Sequence, residues 1–289
     1  MISPKETGGS GTGPAFSVRD IMRLMEKELA KEQGAFSDQA QQLFYDAMEA
    51  ATEQKQRALL KKALELDPGN VDALLVVLHR VPLTLEEEIE ALRKILALAE
   101  RRLGPQTFKE LAGAFWGFIE TRPYMRARAQ LAEAMRQAGR IEEAIAEWEA
   151  MLKLNPNDNQ GVRYTLLACY LALHRLDEAR KLFEKYDERN YNTVFAWGWV
   201  LERFLSGDRA EAEKALAVAR KQNPHTEAYL KEHRQVPKNQ PDSYAPGSQN
   251  EAICFADALL MAWGRHAEAQ QWLAGQASPR PGRRGKKKG

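Results

Sequence analysis

Cysteine is scarce in this chain: Cys169 and Cys254 are the two among 289 residues. That is too few for a disulfide framework or a four-cysteine zinc site, and it suits a reducing cytoplasm. Long apolar runs are missing as well. No stretch approaches the roughly eighteen residues of a membrane-crossing helix, so no membrane contact is expected. Residues 1–14 are rich in glycine and serine and have no apolar centre, which reads as a disordered leader rather than a signal peptide. Alternating β-type runs are absent, and the expectation is an all-α chain.

Catalytic signatures are missing too. There is no GxSxG, no P-loop and no GxGxxG after a strand, and the glycine run Gly9–Gly13 sits in the leader. The five histidines (His79, His174, His225, His233, His266) show no HExxH or HxxH spacing. None has a cysteine at zinc-ligand distance, and His225 and His233 merely flank a short helix. Acidic pairs such as Glu142–Glu143 fall on polar helix faces, where charge serves solvation. The expectation is no enzyme, no cofactor and no metal.

Charge is unevenly distributed. Residues 279–289 hold six of the 42 basic residues and no acid, which leaves 36 basic against 40 acidic residues elsewhere. Basicity therefore belongs to a flexible tail, 276–289, and not to the fold. Six cations would attract phosphate in a salt-sensitive way, so a nucleic-acid- or ribosome-associated factor is the alternative function. Against it, no aromatic side chain interleaves the tail to stack on bases.

What the sequence does have is a repeat. MRQAGRIEEA ends at Ala144, LALHRLDEA at Ala179, FLSGDRAEA at Ala212 and MAWGRHAEA at Ala269. Gly139, Gly207 and Gly264 each stand five residues before the alanine, with His174 in that place in the second segment. The first two steps are 35 and 33 residues, and the last is 57. These bracket the period of about 34 residues of a tetratricopeptide repeat, the last step carrying an insertion. In each unit the glycine ends a first helix, and the alanine lets a second helix approach closely. Pro156 and Pro224 then stop the second helix. The expected fold is a tetratricopeptide-type right-handed helical-hairpin solenoid over 15–275. Degenerate repeats fill 37–110, and clearer ones fill 122–275 around a loop insertion at 234–250. In the degenerate half, Thr84 and Glu87 read as a capping box opening a helix from Leu85 to Arg102.

Several segments carry a family resemblance. GAFWGFIETRPYMRARAQLAEAMRQAGRIEEAIAEWEAMLKLNPNDNQGVRYTLL (113–167), NPHTEAYL (223–230), PDSYAPGSQNEAI (241–253) and WGRHAEAQQWL (263–273) resemble the suppressor of tumorigenicity 7 family and its bacterial tetratricopeptide relatives. The resemblance covers roughly residues 36–275. It implies a helical-repeat scaffold without an assigned reaction. Family members with membrane-spanning segments near the N-terminus differ from this chain, which has none.

First helices of such repeats line a concave face, and this defines the candidate site. Arg126 in ETRPYMRAR, and Asn159, Gln160, Arg163 and Tyr164 in NPNDNQGVRY, would provide polar recognition. The arginines would grip a carboxylate or phosphate bidentately. The next first helix, NTVFAWGWVLERF, is apolar nearly all round, and its projection turns Trp197 and Leu201 toward the groove as anchors. Trp197→Ala would then lose a partner yet keep its helices. The competing reading is that the chain fills its own groove, with the 234–250 loop or the helix Phe16–Lys31. Val18, Ile21, Met22, Met25 and Leu29 make one apolar stripe on that helix. Expected partners are a protein or peptide, a weak nucleic-acid contact through the tail, and a second copy joined through the same stripe.

Overall fold

The computed structural model describes residues 17–29, 37–232 and 234–277. The leader, His233 and the basic tail from residue 278 lie outside the described residues. Among the described residues there are helices and no strands. Packing separates the chain into two compact units, residues 1–160 and 161–289.

In the first unit, α1 (Val18–Leu29) precedes three helical hairpins. These are α2 (Asp38–Met48) with α3 (Glu53–Leu66), α4 (Val71–Leu78) with α5 (Leu85–Glu110), and α6 (Arg122–Gln137) with α7 (Ile141–Leu154). Local chemistry sets the helix starts. The side chains of Ser37, Thr52 and Asn70 each accept a bond from an otherwise orphaned amide at the start of α2, α3 and α4. Thr84 and Glu87 form the expected capping box. The helix that follows breaks at Gly104, whose φ of 70° ends the first segment just past the expected Arg102. Two short 3-10 turns, Phe115–Gly117 and Ile119–Thr121, lead into α6.

Inside this unit, Leu60, Leu74, Leu92, Ile95, Leu131 and Trp148 are removed from water. Each contributes on the order of 2 kcal/mol of burial energy before entropy is counted. An aromatic cluster of Phe108, Phe115 and Tyr124, with ring centroids 5.0–5.9 Å apart, seals the junction between α5 and α6. Helix α1 lies on α5 and α4 through Met25, which is fully buried. Lys94 of α5 bridges to Glu26 at 3.0 Å. The side chains of Val18, Ile21 and Leu29 are outside the described set.

The second unit begins with α8 (Val162–Ala172) and α9 (Leu176–Tyr186), then α10 (Thr193–Leu205) and α11 (Arg209–Gln222). A short α12 (Thr226–Leu230) is followed by an irregular stretch to residue 248. After it come α13 (Gln249–Cys254), α14 (Ala256–Gly264) and α15 (Ala267–Gly275). The joint residues behave as their spacing demands: Ala179, Ala212 and Ala269, like Ala144 in the first unit, have no exposed surface. Gly139 and Gly207 take the left-handed conformation, and His174 adopts it in place of glycine at φ 58°. Gly264 departs from the expectation. It is the last residue of α14, and its φ is not positive.

A plain repeat array packs each hairpin on its neighbours alone. Here α14 reaches past the preceding hairpin and lies on α8 as well as on α10. His266 donates from Nε2 to the carbonyl of Leu171 at 2.7 Å, and its ring lies 6.0 Å from that of His174. Phe204 of α10 meets Trp272 of α15, centroids 5.1 Å apart. The first-helix face of this unit is thus filled by its own last hairpin.

Candidate functional site

That packing corrects two of the expected anchors. Trp197 and Leu201 have no exposed surface at all. They lie in a helix buried on both sides, against its own hairpin partner and against α14. A helix apolar nearly all round signals this kind of burial, and the projection of one face toward solvent overlooked it. The element lying on both α8 and α10 is α14, and Tyr244 of the 234–250 loop packs beside it on Phe255 at 5.4 Å.

Arg163 and Tyr164 are also engaged within the second unit. Arg163 donates from Nε to Glu188 Oε1 at 3.0 Å, and the Tyr164 hydroxyl donates to Glu188 Oε2 at 2.9 Å. The guanidinium stacks over the Tyr164 ring at 4.2 Å. Burial, and then the hydrogen bond to the Glu188 carboxylate, push the Tyr164 phenol well above the ordinary tyrosine range. Phe255 and Phe195 close on the Tyr164 ring edgewise at 5.2 and 5.9 Å. A carboxylate shared with Tyr164 is already present, so this arginine binds the fold's own acid.

The irregular segment before α13 is anchored with similar economy. Glu251 is 1% exposed and accepts from the amides of Gly247 at 2.6 Å and Thr193 at 3.2 Å. The Asn223 side-chain amide adds a third bond at 3.1 Å. Gly247 has φ 74°, and a Cβ there would stand 2.8 Å from the carbonyl oxygen of Gln222. Gly247→Ala is therefore expected to cost about 2–3 kcal/mol in urea denaturation, through left-handed strain and steric overlap. Trypsin cleavage after the exposed Lys238 should accelerate with it. Gly264→Ala, where a Cβ meets open space, should cost little.

In the first unit Arg126 grips Asp72 bidentately, Nε to Oδ1 at 2.8 Å and Nη2 to Oδ2 at 2.6 Å. Asp72 is 2% exposed. Gln41 donates to the same carboxylate at 3.2 Å and accepts from Asn70 at 3.0 Å. Gln160 donates weakly to the Met125 carbonyl at 3.4 Å, and Asn159 is exposed. Arg126 in the first unit, and Arg163 with Tyr164 in the second, therefore hold internal networks, and Asn159 and Gln160 belong to neither.

Beside the Arg126 network lies a cleft of about 130 Å³ that the sequence did not single out. It is bounded by the face of α2 that carries Asp38, Gln41 and Tyr45, by the 3-10 residues Ile119 and Glu120, and by Arg102 of α5. Asp67 holds Arg102 through two 2.9 Å bonds, both side chains being nearly buried. Ile119 is 60% and Tyr45 41% exposed. The adjoining Phe118 is 43% exposed. Glu120 opens the ETRPYMRAR motif and Ile119 directly precedes it, which was the available signal. Tyr45 had none, because an aromatic next to Phe44 in a degenerate repeat reads as core.

Among the described residues, no three His, Cys, Asp or Glu side chains gather as metal ligands. None of the described helices is long and apolar enough to cross a membrane.

The fold defines a class: an all-α protein of stacked helical hairpins. The tetratricopeptide repeat profile matches residues 135–197, from the end of α6 through α9 into α10. The fold class is thereby a tetratricopeptide-type helical-hairpin solenoid. No curated protein matches the chain.

Proposed function

We propose that the protein is a non-catalytic interaction scaffold that receives a protein or peptide on the first-helix face of residues 1–160. The observation that carries this reading is the cleft rimmed by Tyr45 and Ile119. It groups exposed apolar side chains around a pre-formed hollow braced by the Asp67–Arg102 and Asp72–Arg126 pairs. Tetratricopeptide repeats generally mediate protein–protein contacts, which points the same way. Kinship with the suppressor of tumorigenicity 7 family and a cytoplasmic setting belong to the same proposal. Arg126 keeps a place in it as a rim residue, about one helical turn from the cleft-lining Pro123. Nothing in the described residues favours nucleic acid, since the basic tail lies outside them.

A photo-crosslinking amino acid at Ile119, compared with one at the exposed Val218 of the second unit, tests the reading in lysate of the native cell. Discrete adducts from position 119 alone are expected. Identical adducts from both positions, or none from 119, would overturn it.

A further inference from the structure

The geometry points to the chemistry of that partner: the cleft between α2 and the Ile119–Thr121 turn receives an arginine or lysine side chain of a peptide. This rests on the reading that the first unit binds a protein or peptide there. Three observations support it.

The first is size. At about 130 Å³ the hollow is well under the roughly 300–1,000 Å³ of sites that hold nucleotides or other cofactor-sized ligands. It has the scale of a slot for one long side chain.

The second is the wall. Tyr45 and Ile119 are both well exposed and line the hollow. An aromatic face and a branched aliphatic chain suit the methylene stem of a long cationic side chain, whose head stays in water. The Tyr45 ring can take a guanidinium on its face.

The third is charge. Asp38 on α2 and Glu120 on the opposite wall are both exposed, and neither has an ion-pair partner among the described residues. The cation of the cleft, Arg102, is already neutralised by Asp67. Among the described residues the rim therefore offers two unpaired carboxylates, while its cations Arg102 and Arg126 are each paired with an aspartate. A phosphate or an acidic peptide would meet repulsion from both walls, while a guanidinium placed between them would pair with either. Arginine is favoured over lysine because its plane stacks on the ring while its edge reaches a carboxylate.

Fluorescence anisotropy with the full-length protein and a labelled Gly-Ser-Arg-Pro-Arg-Ser-Gly peptide tests the inference. Saturable binding is expected that weakens with added salt. The same peptide with glutamate or norleucine in place of arginine should bind at least about fivefold more weakly. Asp38→Asn and Glu120→Gln should each weaken the arginine peptide about threefold, and the pair about tenfold. Tyr45→Ala should have a comparable effect. Asp177→Asn in the second unit, an exposed acid far along the chain, should change nothing.

Charge exchange gives an independent check that loss of folding cannot imitate: Glu120→Arg should acquire binding of the glutamate peptide. Unchanged affinity in the Asp38/Glu120 double variant would sink the inference. So would equal loss with Asp177→Asn, or a norleucine peptide that binds as tightly as the arginine one. If crosslinks from position 119 persist while the arginine peptide fails to bind, the chemistry proposed here is wrong and the interaction surface stands. If both fail, the surface itself is not a binding site.

Discussion

Trp197→Ala is expected to destabilise the second unit by about 3–5 kcal/mol, the range for truncating a large aromatic in a packed interior. Its side chain is fully buried, and α10 is enclosed between its hairpin partner and α14. Few neighbours can relax into the space, because α14 is itself fixed on α8 and its Trp263 is also buried. Trp197→Phe is the informative companion. The indole Nε1 of Trp197 is buried without a hydrogen-bond partner, so tryptophan already carries an unsatisfied donor. Phenylalanine removes that donor while keeping most of the apolar volume, and the lost desolvation cost offsets part of the cavity cost. A net change within about 1 kcal/mol is expected. Urea denaturation followed by far-ultraviolet circular dichroism separates the two variants. If Trp197→Ala melted like the parent and instead lost a binding partner, Trp197 would have to face an open groove, and the packing of α14 would be wrong.

The joints were legible because the physics there is local. A small residue is required where two helices cross within one hairpin, and Ala144, Ala179, Ala212 and Ala269 sit at such crossings with no exposed surface. Left-handed residues follow the first helices α6 and α10, where Gly139 and Gly207 supply them. His174 shows that a histidine can stand there, at a strain cost of order 1 kcal/mol. The capping box at Thr84 was equally readable, since its two partners lie three residues apart.

The seat of α14 was not legible. Its main contacts are with α8, some ninety residues earlier, as the bond from His266 to Leu171 illustrates. Nothing in a 34-residue period reports a contact that skips a hairpin. The helical projection of α10 gives two apolar faces without saying what covers each, and α14 was not among the segments weighed as filling the groove. The polar site was misread for a related reason. Arg126 and Arg163 were recognised as capable of holding a carboxylate, and each does hold one, but from the chain itself: Asp72 and Glu188. Sequence spacing cannot distinguish an arginine awaiting a ligand from one already paired across 54 or 25 positions. The cleft is not legible in the sequence because it is assembled from residues remote along the chain, Tyr45 against Ile119.

The brace beneath that cleft should be the most sensitive ionic site of the first unit. Arg102 and Asp67 have side chains 5% and 8% exposed, and the guanidinium also bonds the Gly69 carbonyl. Asp67 in turn accepts from the Gly69 amide at 3.0 Å, which fixes the turn leading into α4. Arg102→Met keeps the length of the side chain and removes its charge. It leaves a buried carboxylate facing an apolar thioether and strips a backbone carbonyl of its donor. Loss of one member of a buried ion pair costs about 3–5 kcal/mol, far more than the intact pair contributes over an apolar substitute. Asp67→Asn added to Arg102→Met should restore a large part of the loss, because the amide oxygen can still accept from Gly69 while the unpaired charge disappears. Lys61→Met, which breaks a pair more than half exposed on both sides, should change stability by less than about 0.5 kcal/mol. A double-mutant cycle on Asp67 and Arg102 by chemical denaturation reads the coupling directly. If Arg102→Met proved as mild as Lys61→Met, water must reach the pair, and the cleft would not be the braced hollow on which an interaction surface at Tyr45 and Ile119 depends.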